Sequence, residues 1–325
     1  MQVFHCPGCK GPLWFDNDRC ACGQTVGFDP EAQAMVATDA RCANHALIAC
    51  NWLPEPDSGG LCRSCAMTEI LPDLREPANL PHWARTETAK RWMLANLGRW
   101  GWFSSRDSGP RPVFRLLSEE TATGEVPVTM GHAGGIITIN VSEADEARRA
   151  DRQTRMGELY RTMLGHMRHE IGHFLFDRLM SRGGFAAEFR NMFGDERQDY
   201  AAALERHYDA PRPPGETHVT SYATAHPHED WAETLAHLLH LVDSADSAAA
   251  AGLCGPDGPP PGYDAYADPD TDHVLDHAIG LSIAVTHVNR ALDLPDLYPF
   301  VLTPAVREKM AFAHAALFAP SPPQA

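Results

Sequence analysis

The stretch His166-Met167-Arg168-His169-Glu170-Ile171-Gly172-His173-Phe174-Leu175 decides how the rest of the chain is read. Around it Leu159, Tyr160, Met163, Leu164, Met167, Ile171, Phe174, Leu175 and Leu179 recur at steps of three and four, which predicts one amphipathic helix over 152–181. Gly183 and Gly184 supply its stop signal. On such a helix His169 and His173 stand one above the other, so both imidazoles reach a single ion while Glu170 projects beside it. A neutral imidazole is a good zinc ligand near pH 7, and a carboxylate beside a metal-activated water can take its proton. The same five residues also occur in helices that bind nothing, so a third ligand decides between the two readings.

Glu229-Asp230-Trp231-Ala232-Glu233 offers that ligand. Pro227 opens a second predicted helix over 227–242, whose buried stripe is Trp231, Leu235, Leu238 and Val242. Glu229 and Glu233 are four apart and share a face. Glu229 reads as the metal ligand and Glu233 as the carboxylate that accepts a hydrogen bond from a ligand imidazole, with the reverse assignment as the alternative. Tyr222 is the candidate donor to the oxyanion of the reaction, against a purely structural role. Among the other histidines, His166 reads as a neighbour of the ligands or an exposed imidazole, and His228 as the reserve third ligand. His226 flanks the proposed ligand carboxylate, whereas His237 and His240 line the helix. Asp272-His273 and Asp276-His277 repeat at a step of four and read as a solvated acidic helix start rather than another metal face.

Eight of the nine cysteines precede residue 66, too uneven a spread for disulfides distributed through a secreted fold. Cys6-Pro7-Gly8-Cys9 followed by Cys20-Ala21-Cys22 has the form of a zinc ribbon, although the second pair is one residue shorter than usual. Cys42, Cys50, Cys62 and Cys65 complete a second set of four, so two structural zinc sites account for eight thiols. A closed thiolate site leaves no position for water and contributes folding energy to a segment with little core of its own. Cys254 has no evident partner and reads as a bystander.

The chain of 325 residues is 44% hydrophobic and 22% charged, ordinary for a globular protein. With no signal-like start and no long apolar run, it is expected in the cytoplasm and not in a membrane. Its net charge of −16, with nine Asp/Glu against five Lys/Arg in residues 1–75, disfavours nucleic-acid binding and favours a peptide or protein partner. The Pro-bearing stretch 76–81 reads as a linker between a cysteine module, 1–75, and a second domain, 76–325. In that domain 82–99 is predicted helical, and 113–117, 126–131 and 136–141 are short strands of a small antiparallel sheet. The strand over 126–131 is a candidate edge for an extended peptide. Residues 244–271 read as a long surface loop, followed by helices over 272–293 and 304–318 and a frayed end at 320–325.

In series these residues resemble the bacterial zinc-ribbon-containing metallopeptidases, a group of HExxH zincins whose third ligand is Glu. The likeness runs through Cys42-Ala43-Asn44, Cys50-Asn51-Trp52-Leu53, Cys62-Arg63-Ser64-Cys65, Gly131-His132 with Ile136 to Asn140, and Tyr160-Arg161 with Leu164-Gly165-His166. It continues through Arg168 to His173, His226-Pro227, Glu229 to Glu233, and Leu297-Tyr298-Pro299-Phe300-Val301-Leu302. The resemblance implies one catalytic zinc, Glu170 as general base and a Glu ligand from the second helix, a pattern that Glu229 and Glu233 match. The chain departs from it in the Cys20-Ala21-Cys22 spacing and at His228, where a large aromatic residue is expected. The fold expected is therefore α+β, a zincin-like and mainly helical catalytic domain with a small antiparallel sheet, preceded by a zinc-ribbon module. The activity expected is zinc-dependent hydrolysis of peptide bonds. The competing expectation is a protein-interaction adaptor in which ribbons and helix-borne zinc are structural.

Overall fold

The computed structural model describes residues 1–156, 162–253, 255 and 257–318, without the side chains of 151 and 153–156. Leu159, Tyr160 and Arg161, Cys254 and the end at 320–325 lie outside the described residues. The chain forms two compact units, one of Gln2–Phe174 and one from Leu175 onward together with Met1.

In the first unit β1 (Phe4–His5) and β2 (Pro12–Leu13) form a hairpin, and β3 (Val26–Asp29) and β4 (Ala34–Ala37) form another. Gly27 in β3 permits a close approach: a Cβ there would lie 2.9 Å from the Asn51 carbonyl oxygen, which accepts from Phe28 N. Phe28 packs against Phe4, Phe15 and Trp52, giving this cysteine-rich region a small aromatic core. Two single-turn helices follow, α1 (His45–Ile48) and α2 (Arg63–Ala66), then β5 (Thr68–Ile70) and α3 (Asn79–Arg99). The predicted linker and helix thus merge, because Asn79 is held by the carbonyls of Asp73 and Glu120 at the helix start.

The remaining strands are β6 (Val113–Leu117), β7 (Glu120–Thr121), β8 (Gly124–Glu125), β9 (Gly131–Ala133) and β10 (Ile136–Asn140). One sheet runs in the order β5-β6-β10-β9. Alternation buries Phe114 and Leu116 of β6 opposite Ile137 and Ile139 of β10. Burial of each such side chain contributes about 1.5–3 kcal/mol. β9 and β10 form the antiparallel hairpin through Gly134 and Gly135, both at positive φ. β6 pairs parallel with both β5 and β10, so this sheet is mixed. The strand expected over 126–131 is not formed over 126–130. Pro127 lacks the donor a ladder needs, and pairing resumes only at Gly131.

α4 (Glu146–Met156) and α5 (Met163–Met180) replace the single helix expected over 152–181. Thr162 lies outside helix geometry and caps α5, its Oγ1 accepting from Gly165 N at 2.9 Å. In the second unit α6 (Phe185–Phe193), α7 (Tyr200–Asp209) and α8 (Pro227–Ala251) follow, with a 3-10 turn at Tyr222–Thr224. Trp231 of α8, fully buried, is ringed by Phe176, Phe185, Phe189, Phe193 and Phe312 at centroid distances of 5.6–6.2 Å. The loop expected from residue 244 starts later. Ala245, Ala248 and Ala249 are buried on α8, alanine has the highest helix propensity, and the helix stops only at Gly252, φ 73°. α9 (Thr271–Ala291) and α10 (Pro304–Leu317) complete the unit. The fold is α+β, mainly helical, with small sheets and mostly antiparallel strand pairs. No helix among the described residues is long and apolar enough to cross a membrane.

Candidate metal centres

Three groups of ligand-type side chains converge: Cys6, Cys9, Cys20 and Cys22; Cys42, Cys50, Cys62 and Cys65; and His169, His173 and Glu229. Within each, one ligand atom per residue lies within 4.8 Å of all the others.

The first cysteine group is built by two tight turns. Cys6 N donates to Gly11 O and Lys10 N to Cys6 O, while Cys20 N donates to Gln24 O and Gly23, at φ 90°, closes the second turn. This second turn brings Cys20 and Cys22 together despite their short spacing. Sulfur separations are 3.8 Å for Cys6–Cys22 and 3.6 Å for Cys9–Cys20. In the second group they are 3.5 Å for Cys50–Cys62 and 3.8 Å for Cys50–Cys65. A tetrahedron with zinc–sulfur bonds of about 2.3 Å has edges of about 3.8 Å, so both donor sets fit zinc. None of these eight cysteines is in a disulfide.

Their ionisation points the same way. The Cys6 thiol is lowered to about 7, first by the Cys9 backbone N–H. Cys20 is raised to about 12: the Cys22 backbone N–H pulls it down, but burial and the sulfurs of Cys9, Cys22 and Cys6 outweigh that pull. In the buried group Cys42 is driven far down by thiol donors from Cys50, Cys62 and Cys65, whereas hydrogen bonds with Cys42 and Cys50 drive Cys62 up. In this group Cys42 and Cys50 are lowered while Cys62 and Cys65 are raised, a conflict that a divalent cation removes by letting all four ionise. Arg91 lies buried nearby. Burial works against its charge, but the charges of Cys50, Glu87, Cys65 and Asp16 favour it more strongly.

The third group rests on helix geometry. His169 and His173 are one turn apart on α5 with Nε2 atoms separated by 3.1 Å. Zinc–nitrogen bonds of about 2.0–2.1 Å in a tetrahedron imply about 3.3–3.4 Å, within a few tenths of that separation. Further along α5, Phe176 lies 4.7 Å from the His228 ring and 6.2 Å from Trp231 of α8. Two imidazoles and a carboxylate are a donor set that suits zinc.

Glu229 is 1% exposed and sits in the first turn of α8, where the helix dipole favours a negative charge. Its Oε1 accepts from the Tyr200 hydroxyl at 2.6 Å. Tyr200 escaped the sequence reading: it opens α7, N-capped by Asp199, and nothing in its spacing connects it to residue 229. Tyr222 lies close enough to Glu229 for that charge to raise its hydroxyl, after burial as the main cause. Glu233 accepts from Thr220 Oγ1 at 2.6 Å and is outside the three-residue group. His226 caps α8: its Nδ1 accepts from His228 N at 3.1 Å, leaving Nε2–H to face Gln198 O at 3.3 Å. His166 Nε2 faces buried Glu143 at 3.7 Å. His237 Nδ1 meets the Tyr298 hydroxyl at 2.8 Å and its ring packs on Phe300, which ties the 297–302 segment to α8. Glu170 is 6% exposed, next to His169 on the same helix.

Fold and sites together define a zinc-binding α+β protein with a cysteine-rich ribbon at its amino-terminal end. More particularly, the chain belongs to the family described as "Putative zinc-binding metallo-peptidase", whose profile matches residues 79–316. A zinc-ribbon domain profile matches residues 3–41, so Cys42, Cys50, Cys62 and Cys65 fall between the two matched ranges. Uncharacterized proteins of Mycobacterium tuberculosis and Mycobacterium bovis are 42% identical over 331 residues, covering 97% of this chain and 94% of each relative. No solved structure matches.

Proposed function

We propose that this chain is a zinc-dependent peptidase with one zinc at His169, His173 and Glu229 and one in each cysteine group. The observation that carries the reading is the meeting of a histidine pair and a distant carboxylate from a second helix, a set with three protein ligands where the cysteine groups have four. Zinc bound there supplies Lewis-acid chemistry. Glu170 accepts the proton of the attacking water and returns it to the leaving nitrogen. Low exposure keeps that carboxylate's proton transfer away from bulk solvent. Glu233 holds a ligand imidazole in its tautomer, and Tyr222 donates to the developing oxyanion. An extended substrate, peptide or protein, pairs along β9, the edge strand of its sheet. Residues 1–75 form a zinc-ribbon module and 76–325 the peptidase domain.

Glu170→Gln tests the base directly. The variant is expected to keep its full zinc content and lose at least about a thousandfold in turnover of a peptide that the native protein cleaves. Turnover equal to that of the native chain, at equal zinc content, rules out Glu170 as base and favours a structural role for the helix-borne metal.

A further inference from the structure

A second histidine pair repeats the geometry of the first on a different helix. His273 and His277 are one turn apart on α9, and their Nε2 atoms lie 2.9 Å from each other. His273 Nδ1 meets Asp268 Oδ2 at 2.6 Å. That carboxylate is fixed in turn by the Tyr263 hydroxyl at 2.8 Å and by Asp270 N at 2.9 Å. Asp268 therefore sets the tautomer of His273: the proton stays on Nδ1, and Nε2 presents its lone pair outward. The Tyr263 ring lies 5.6 Å from His273 and 4.8 Å from His277 and limits the orientation of both imidazoles.

The aspartates of the same stretch are occupied elsewhere. Asp272 and Asp276 both pair with Arg307 of α10, so the two histidines, and not an acidic face, are left for a ligand. A cation near a helix N-terminus is opposed by the dipole. Asp268 and Asp270 offset this, the first beside His273 and the second as N-cap of α9. His273 is 53% exposed, so an ion can arrive from solvent and keep several waters.

We propose that His273 and His277 chelate an exchangeable late first-row divalent cation through their Nε2 atoms, with Asp268 as the positioning residue. Two imidazoles with open positions suit nickel, copper or zinc, and not calcium or magnesium. The site is separate from the three metal groups above, and its test does not depend on peptidase activity.

The probe is Ni²⁺, dialysed at up to 100 µM against the zinc-loaded, tag-free chain at pH 7.5, with nickel and zinc counted in the same sample. The native chain is expected to take up about one equivalent of nickel with no loss of zinc. His273→Gln and His277→Gln are each expected to lose that equivalent, Asp268→Asn to bind about tenfold more weakly, and His287→Gln, exposed on the same helix, to behave as native. On the native protein, nickel is expected to shield His273 and His277, but not His287, from diethyl pyrocarbonate, as mapped by mass spectrometry. Equal nickel uptake by the native chain and both glutamine variants, or modification of His273 and His277 undiminished by nickel, overturns the site and leaves an imidazole–imidazole hydrogen bond.

Discussion

In the proposed zinc site the hydroxyl of Tyr200 is a single group that acts on the candidate ligand Glu229 from outside the ligand set. Tyr200 is 42% exposed, yet its hydroxyl oxygen reaches a carboxylate that is almost completely buried. A donor at 2.6 Å holds Glu229 Oε1 in one orientation and withdraws charge from it. Tyr200→Phe keeps the ring against His226 and removes only that hydrogen bond. Zinc affinity at the histidine pair is expected to fall about 10- to 100-fold, measured by chelator competition, with both cysteine sites unaffected. An unchanged affinity would mean that α5 and α8 alone orient the ligand. The grouping of His169, His173 and Glu229 was legible in part: a step of four on one helix gives His169 and His173 a shared face, and the same step to Glu233 singled out Glu229 on another helix. The contact of Tyr200 was not, since it spans 29 residues and depends on how two helices pack. The same holds for His226, whose capping role needs a backbone conformation that spacing alone does not reveal.

Elements show where local patterns compete. Ala245, Ala248 and Ala249 looked like part of a small-residue loop, yet as buried residues of α8 they let neighbouring helices approach closely, so packing decides their state. Val126 is 44% exposed, and its apolar character marked a strand that Pro127 does not allow. Helices were expected where α3, α8, α9 and α10 lie, α3 from its period and α8 from its period and the opening Pro227, whereas α6 and α7, of nine and ten residues, were not foreseen. One junction of elements is sensitive to pH. His314 of α10 is fully buried with Nδ1 2.9 Å from Thr271 Oγ1 at the start of α9, and burial lowers its pKa to about 4. Between pH 6.5 and 4 the unfolded chain binds this proton and the folded chain does not, so stability falls as pH falls through that window. The full loss is about 3 kcal/mol, because each pKa unit is worth about 1.4 kcal/mol. His314→Gln is expected to flatten the stability curve over pH 4–6.5 in denaturant titrations. A slope equal to that of the native protein would assign the pH dependence to other groups.

On the scale of the whole molecule, the proposed function divides the candidate metal sites between holding the fold and performing chemistry. The cysteine groups lie where apolar core is thinnest: in the first 66 residues the described helices are single turns and the strands span two to four residues. Zinc held by these thiolates, as proposed, would contribute folding energy to a segment whose own elements are this short. The histidine pair sits instead on an 18-residue helix whose Met167, Ile171, Leu175 and Leu179 are buried, so that helix has packing of its own to rely on. Stepwise metal removal should therefore separate the two roles. A mild chelator at neutral pH is expected to extract about one equivalent of zinc first, abolishing peptidase activity while leaving the circular dichroism spectrum and thermal midpoint within a few degrees of native. A thiol-directed mercurial is then expected to release about two more equivalents together with a cooperative loss of structure, because the cysteine ligands cannot be replaced by side-chain packing. Zinc release followed with a colorimetric dye, alongside circular dichroism, distinguishes the stages. Loss of structure with the first equivalent would make the helix-borne metal structural and remove the basis for assigning it chemistry.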